Sequence, residues 1–431
     1  ASFNNLTVNK SSGILSLASG TNASLASSLN ITAGTLNANN NNISIAGNWT
    51  RNNTASFNPG TGTITFNGTG AQAITITGGG TASFNNLTIN NSNGVSLNTN
   101  TNCTIDATLN LSSGTFTVGA NTLTLNGGAI AGTPSLLATT SSSTLEFGGS
   151  NAGPLAIPSS VINIGSLNIG NTNNARVDIN SSFTVHNTLT LGSGTLSIGS
   201  NTLTIAGNIS NGSGRLRGST SSNINCTYTS GTKELYFDRS TEGTTNVLQN
   251  LTINGTGGTT TLGDVPSNGS GIAQLYITET LTVTAGTLDL TNSVADNHIV
   301  LVSDGTNQAR IANVAGTINQ GTDTKIVVER FVNGTRRAWR FITAPLTGNG
   351  SSINRTIQYQ WQNHQTNPAN TLGGTSFGIN INGPSGSTGM DEITPGYTLR
   401  GWDYSTRAYV NISNTTSEML FGTSATAANK P

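Results

Sequence analysis

The sequence is poor in charged and sulfur-containing side chains, and each shortage excludes a class of protein. Charged residues make up 8% of the 431 residues and the formal net charge is zero, whereas an average soluble domain holds roughly 25% charged residues. Binding to the phosphates of nucleic acid requires a basic face, so we expect no nucleic-acid partner. Two cysteines, Cys103 and Cys226, are too few to form a disulfide framework.

Long apolar stretches are missing as well. No run of about 20 apolar residues occurs, so the sequence predicts no membrane-spanning helix, and no signal peptide is visible. The residues that do abound are Asn, Thr, Ser and Gly, which disfavour long helices and favour strands and turns. Residues 1–9 recur almost unchanged as residues 82–90, so the chain begins inside a repeat and we expect it to be a fragment.

A long internal repeat dominates the sequence. One motif of the pattern Leu-x-apolar-x-x-Gly-Thr-apolar occurs four times. The copies are LNITAGTL (residues 29–36), LNLSSGTF (109–116), LTLGSGTL (189–196) and LTVTAGTL (281–288). A second motif, NLTV at residues 5–8, returns in similar form at residues 86–89, 166–169 and 250–253. The fourth copy carries an insertion near residues 263–273.

Within each copy apolar and polar residues alternate, which is the period of a β-strand, and Gly, Asn and Ser separate the short strands. We therefore predict an all-β fold, a right-handed parallel β-helix in which one sequence repeat forms three or four coils. We also expect equivalent residues of successive copies to occupy the same position around the coil, so that they stack directly above one another. The predicted interior positions are Ala23, Cys103, Phe183 and Leu275; Leu25, Ile105, Val185 and Ile277; and Leu29, Leu109, Leu189 and Leu281.

Two further sets of equivalent residues have predicted environments. Ala26, Asp106, His186 and Thr278 vary in polarity, so we expect them to face solvent. Asn41, Asn121 and Asn201 occupy one position in three copies, shortly after the repeated glycine. We predict that these asparagines lie in turns, where Asn tolerates left-handed backbone angles and hydrogen-bonds to the local backbone.

The composition changes near residue 322. Residues 325–431 hold three of the four tryptophans and nine of the seventeen Lys and Arg residues. We predict a β-helix over residues 1–322, with copies at about 1–81, 82–163, 164–247 and 248–322, followed by a C-terminal aromatic-rich, β-sandwich-like domain at 323–431 that caps the last coil.

The C-terminal region contains a distinctive segment, VERFVNGTRRAWRFITAP at residues 328–345, followed by WQN at 361–363 and GININGP at 378–384. Over about residues 325–410 it resembles a module of large Bacteroidota surface proteins, which follows Asn/Thr-rich β-helical repeats. The resemblance implies export by the type IX secretion system and a place outside the cell, either attached to the outer membrane or secreted. The C-terminal sorting domain usual in that family is not visible before Pro431.

The sequence offers no convincing catalytic, cofactor-binding or metal-binding constellation, so we predict none. Residues 1–105 contain no Asp or Glu, and Glu234, Asp238 and Glu242 form the one local acidic group of the repeat region, which we interpret as a solvated turn. The three histidines share no metal-ligand spacing. Residues 374–378 match Gly-x-Ser-x-Gly, but that motif belongs to a strand-to-helix turn. Arg336, Arg337 and Arg340 are interpreted as covering the aromatic core.

These observations favour a non-enzymatic extracellular structural protein of adhesin type, with glycans or surfaces as its partners and the export machinery and outer membrane engaged through regions outside the sequence. The alternative is a polysaccharide-binding or polysaccharide-degrading β-helix protein. Threonines at alternate strand positions also resemble those of ice-binding β-solenoids. Because Asn, Ser and Gly interrupt the threonines when the repeats are aligned, we expect no ice-binding face.

Overall fold

The fold is all-β, a stack of parallel strands forming a β-solenoid of about 13 turns, as seen in a computed structural model of the chain. The structure describes residues 1–128, 130–151, 153–263, 275–291, 299–312, 314–320, 326–329, 381–388, 390, 392–403 and 406–415. The chain divides into two compact units. Unit 1 comprises Ala1–Leu301 and Ala309–Gly321, and unit 2 comprises Val302–Gln308 and Thr322–Pro431.

Most strands of unit 1 are short because Gly, Asn and Ser turns interrupt them. Strands β1 to β16 are Ser2–Phe3, Leu6–Ser16, Ala23–Leu25, Leu29–Asn37, Ile43–Ile45, Trp49–Asn52, Ser56–Asn58, Thr63–Phe66, Gln72–Thr77, Gly80–Asn90, Val95–Leu97, Thr101–Ser113, Phe116–Thr117, Thr122–Leu125, Ile130–Gly132 and Leu137–Ala138. Strands β17 to β32 are Thr144–Phe147, Leu155–Ile157, Asn163–Gly170, Arg176–Ile179, Phe183–Ser193, Thr195–Ser197, Thr202–Ile205, Asn208–Asn211, Arg215–Arg217, Asn223–Cys226, Thr232–Leu235, Val247–Leu262, Leu275–Asp289, Ile299–Leu301, Arg310–Ile311 and Thr317–Asn319. Within the described residues the single helical element is a 3-10 turn at Pro134–Leu136.

Four ladders of directly paired residues run up the stack and show how the coils lie on one another. Ladder A contains Ala23, Ile43, Ile64, Leu87, Leu109 and Ile130. Ladder B contains Leu6, Leu29, Trp49, Ile74 and Leu97. Ladder C contains Ala82, Cys103, Leu123, Leu145, Leu167, Leu189 and Ile209. Ladder D contains Phe183, Leu203, Ile224, Leu251, Leu281 and Ile311.

Each step of a ladder marks one coil, so the ladders show how much chain a coil takes. The step from Ala23 to Ile43 is typical of ladder A. In the upper part of ladder D the steps are longer, and the step from Leu251 to Leu281 contains the insertion. Four coils lead from Ala23 to Leu109, whereas the equivalent of Ala23 in the next sequence copy is Cys103, six residues before Leu109.

The expectation that equivalent residues of successive copies share one slot is therefore wrong. Leu29 belongs to ladder B, while its equivalent Leu109 belongs to ladder A, in which Ala23, six residues before Leu29, is also found. The same shift recurs twice. Leu189 lies in the ladder of Cys103, which is six residues before Leu109. Leu281 lies in the ladder of Phe183, which is six residues before Leu189. Each sequence copy is thus offset by six residues around the coil relative to the copy before it. Equivalent residues of successive copies therefore wind around the stack, and we call this the screw arrangement.

Most of the ladder residues lie in the core of unit 1, together with other buried apolar side chains such as Phe66, Phe84 and Phe147. Its bulkiest part is an aromatic cluster in which Trp49 contacts Phe84 and Phe57 edge-on, with ring centroids 5.4 and 5.9 Å apart. Trp49 is fully buried. Edge-on aromatic pairs contribute beyond their buried area, so this cluster stabilises the lower coils.

Unit 2 contains five short strands among its described residues. Strand β33 is Ile326–Val328; β34 (Asn382–Gly383) pairs in parallel with β35 (Glu392–Ile393), and β36 (Arg400–Asp403) pairs antiparallel with β37 (Ala408–Asn411). Most of the residues on which the sandwich prediction rests, including Trp339 and Trp361, lie outside the described residues.

Candidate functional site

All twelve residues predicted to point into the core do so. Each is at most 3% exposed, in all four sequence copies. The outward set is exposed in the first three copies, at Ala26, Asp106 and His186. Thr278 is an exception, because it is 3% exposed and its hydroxyl donates to the carbonyl of Leu248 at 3.4 Å.

The two cysteines are buried free thiols. Burial raises the pKa of the Cys103 thiol. Burial also raises the pKa of the Cys226 thiol, to about 12, although Tyr228 and Thr260 offset part of the shift through hydrogen bonds. A thiol must ionise to react as a nucleophile or metal ligand, so both residues serve as core side chains here.

The repeated asparagines lie at turn ends and point inward. The amide of Asn41 donates to the carbonyl of Ala38 at 2.8 Å within its own turn and to the carbonyl of Ala18 in the preceding coil at 2.9 Å. Asn121 and Asn201 bond in the same two ways. Asn121 donates to Val118 at 2.9 Å and Leu97 at 3.4 Å, and Asn201 donates to Ile198 at 3.3 Å and Ile179 at 2.8 Å. These side chains satisfy buried carbonyls and tie one coil to the next.

The left-handed backbone angle predicted for these asparagines belongs to another position. It occurs two residues earlier, where φ is 51° at Asn39, 63° at Gly119 and 60° at Gly199. Asn and Gly are the residues that adopt this conformation at least cost. The sequence signal for the turn was therefore the residue pair Asn/Gly-x-Asn rather than the final asparagine alone.

Each of the acidic residues near position 238 interacts with a different partner. Glu234 accepts a hydrogen bond from the Tyr236 hydroxyl at 2.9 Å. Glu242 accepts one from the Tyr276 hydroxyl at 3.0 Å. Asp238 lies 4.0 Å from the Arg217 guanidinium and caps the backbone N–H of Ser240 at 2.9 Å.

Of the remaining candidates from the sequence, one histidine lies within the described residues and the others do not. His186 is exposed and lies 3.1 Å from the amide oxygen of Asn163, while His298, His364, the arginine group at 336–340 and the Gly-x-Ser-x-Gly segment lie outside the described residues. Among the residues that the structure describes, no group of three or more His, Cys, Asp or Glu side chains could hold a metal ion. Over the same residues, no helix has the length and hydropathy needed to cross a membrane.

A charged patch, which the sequence did not predict, lies where β20, β22 and β25 pair in register. Arg176 forms an ion pair with Asp178 at 2.9 Å. One and two coils further on, Thr195 and Arg215 align with Arg176, and the Arg215 guanidinium lies 5.4 Å from the centroid of the Tyr236 ring. Burial lowers the pKa of Arg215. A cation beside an aromatic ring, with acids near by, is an arrangement that can bind sugars or their acids.

The outer surface of ladder C carries two ranks of small polar side chains, which we call the polar ranks. They flank the buried residues of the ladder, one rank on either side, over seven successive coils. The first rank is Thr81, Asn102, Thr122, Thr144, Ser166, Thr188 and Asn208. The second rank is Ser83, Thr104, Thr124, Glu146, Asn168, Thr190 and Ser210.

Alignment of the sequence copies concealed these ranks. Equivalent residues of successive copies lie on different ladders. Aligning the copies therefore places residues of one rank opposite residues of other ladders. The signal that could have found them is the shorter interval of a single coil. That interval is visible as small polar residues that recur 22 residues apart at Thr122, Thr144, Ser166 and Thr188.

Comparison with known proteins identifies no relative. No protein-family model, no curated protein and no solved structure matches the chain significantly.

Proposed function

We propose that the chain is a non-enzymatic extracellular structural protein of adhesin type, in which stacked coils form a rigid stalk and the outer faces adhere to surfaces. The observation that carries the proposal is the repetition of uncharged hydrogen-bonding side chains on successive coils of a continuously paired solenoid. Each coil adds about 4.8 Å of stacked strand, so the fold gains length without requiring a larger core.

The resemblance of residues 325–410 to Bacteroidota surface proteins supports export by the type IX secretion system and a place on the cell exterior. Export machinery and the outer membrane would then be engaged through regions outside these residues. Glycans and hydroxyl-bearing surfaces suit the neutral faces, because many weak hydrogen bonds add up when they are presented together. The proposal requires no cofactor and no nucleic acid.

Adhesion of beads coated with the chain tests the proposal. With only 8% charged residues, adhesion to hydroxylated glass or to neutral glycans should persist at 1 M salt, where the screening length falls to about 3 Å. Beads coated with an unrelated neutral globular protein provide the baseline. Adhesion no greater than this baseline on every surface would refute the proposal.

A polysaccharide-active role is the second candidate, and the charged patch favours it. The exposed Arg176, the half-buried Tyr236 and the acids near it are the groups that a sugar acid would contact, whereas Arg215 is only 7% exposed. Turnover of acidic and neutral polysaccharides should then be measurable and should be lost in Glu234→Ala or Asp238→Ala. Asp106→Ala, an exposed acid far from the patch in sequence, is the control. If turnover depends on the patch residues and not on Asp106, the non-enzymatic proposal is wrong.

A further inference from the structure

The polar ranks form a regular two-dimensional lattice. Along each rank, neighbouring side chains come from paired parallel strands, about 4.8 Å apart; across the ranks, partners two residues apart on one strand are about 6.6 Å apart. From Thr144 to Ser210 the pairing is in register, and the bulges of β19 fall outside the residues that contribute to the ranks.

The ranks are almost free of charge and contain no aromatic side chain. Seven of the fourteen residues are threonine, three are serine and three are asparagine. The single charged member is Glu146, whose carboxylate accepts hydrogen bonds from its rank neighbours Thr124 at 3.3 Å and Asn168 at 3.2 Å. The one carboxylate is therefore tied into the hydrogen bonding of its own rank.

The side chains of the ranks are held in place before any partner arrives. The ten members between Asn102 and Thr190 are half-buried by their neighbours, and Thr81, Ser83, Asn208 and Ser210 are exposed at the two ends. Threonine has a restricted χ1 angle because it is β-branched, so little conformational entropy remains to be lost on binding. The lattice is rigid as well as regular.

From the geometry we infer that the polar ranks bind ice. The oxygen atoms of hexagonal ice repeat along and across its prism faces at spacings close to the two spacings of the ranks. Threonine presents a hydroxyl that can hold a lattice water and a methyl that orders its neighbours, and it occurs on five of the seven coils of the ranks. A charged partner is disfavoured because the ranks are almost neutral, and a sugar chain bound on these two ranks would rely on hydrogen bonds alone, because they contain no aromatic ring. The inference deepens the proposed function, on which it rests, by naming the surface.

A similar but shorter array lies on ladder D, where paired ranks cover five coils and the rank that starts at Thr202 ends at Arg310. The ranks of ladder C are longer, so substitutions at their centre should cause the largest loss. Thr124 and Thr188 are half-buried outward residues within these ranks. Thr195 has the same half-buried outward setting but lies between Arg176 and Arg215 in the charged patch.

The test is adsorption of the full chain to a polycrystalline ice surface and inhibition of ice recrystallisation. Thr124→Tyr and Thr188→Tyr place a ring in the plane of the lattice, and each should reduce adsorption at least about tenfold, because array binding multiplies many weak contacts. Thr195→Tyr should adsorb like the parent chain. Glu146→Thr removes the single charge from the ranks and should raise recrystallisation inhibition. Circular dichroism and urea midpoints verify that each variant is folded.

Several results would overturn the inference. These are an absence of adsorption by the parent chain, equal loss in the Thr124 and Thr195 variants, and lower activity in folded Glu146→Thr. Adsorption to crystalline cellulose rather than ice, lost in the Thr124 variant, would assign the ranks to a polysaccharide and overturn it as well. If ice adsorption fails while coated beads still adhere to glass or glycans, the inference alone is refuted. Failure of bead adhesion refutes the proposed function separately.

Discussion

Replacement of Leu109 by aspartate tests the assignment of inward and outward positions. Leu109 is 1% exposed and lies in ladder A between Leu87 and Ile130, both of them apolar. Burying a leucine side chain contributes about 1.5–3 kcal/mol, and an unpaired buried polar group costs about 1–3 kcal/mol more. Leu109→Asp should therefore destabilise the fold by about 3–5 kcal/mol.

Urea denaturation followed by circular dichroism measures this cost, and Asp106→Leu is the matched control. Asp106 is exposed, three residues earlier, and accepts one hydrogen bond from Asn126 at 2.8 Å. Its replacement should change stability by at most about 0.5 kcal/mol. Since solenoids can open locally, hydrogen exchange at Leu87 and Ile130 should rise in Leu109→Asp. Equal shifts for the two variants would refute the inward assignment.

The cost of Leu109→Asp should also depend on pH. Burial raises the pKa of a carboxyl group, so the folded variant disfavours ionisation more than the unfolded chain does. The penalty is smallest below the unfolded pKa of about 3.9 and grows as the pH rises above it. The difference in urea midpoint from the parent chain should therefore be larger at pH 7 than at pH 4. A difference that is the same at both values would mean that the introduced carboxyl reaches solvent.

Two further predictions concern buried thiols and tight turns. Cys103 and Cys226 should resist alkylation in the folded chain. Because burial raises the pKa of both thiols, the free energy of unfolding should fall as the pH rises above about 9, by up to about 1.4 kcal/mol per pH unit for each thiol. An unchanged urea midpoint between pH 8 and pH 11, or a pH dependence that Cys226→Ala leaves unaltered, would contradict this prediction. Gly114 and Gly20 both have positive φ, of 72° and 70°, but a Cβ at Gly114 would overlap the Asn91 carbonyl oxygen, while at Gly20 it meets nothing within 4 Å. Gly114→Ala should thus lower the urea midpoint far more than Gly20→Ala, and similar losses would show that the coils yield at this turn.

The repeat allowed the solenoid and its interior residues to be predicted, because apolar side chains at alternate positions must face a common core. It did not reveal how the copies stack. Leu29 and Leu109 have the same local pattern, yet the number of strand segments per copy, which decides whether they share a ladder, depends on where the chain bends. Those bends lie at irregular points such as that between Phe84 and Asn86, and alternation alone does not mark them.

The surface was predicted less well than the core for the same reason. An outward residue is defined by its neighbours in the coils above and below, and these are one coil away along the chain rather than one sequence copy away. Thr124 can therefore be recognised as a member of a polar rank only once it is known to pair with Thr104 and Glu146 in the adjacent coils. The charged patch was missed likewise, since Arg176 and Arg215 are distant in sequence and align across two coils.

Pulsed electron spin resonance between pairs of spin labels on outward residues measures the screw arrangement of the copies most directly. Thr104 and Thr190 lie four steps apart in one polar rank, so labels there should be separated by about 19 Å along the stack. Asn110 and Thr190 are equivalent residues of successive copies, yet they lie on the outer sides of ladders A and C, and their labels should be clearly farther apart. A shorter distance for Asn110 and Thr190 than for Thr104 and Thr190 would show that sequence copies stack in one slot and would contradict the screw.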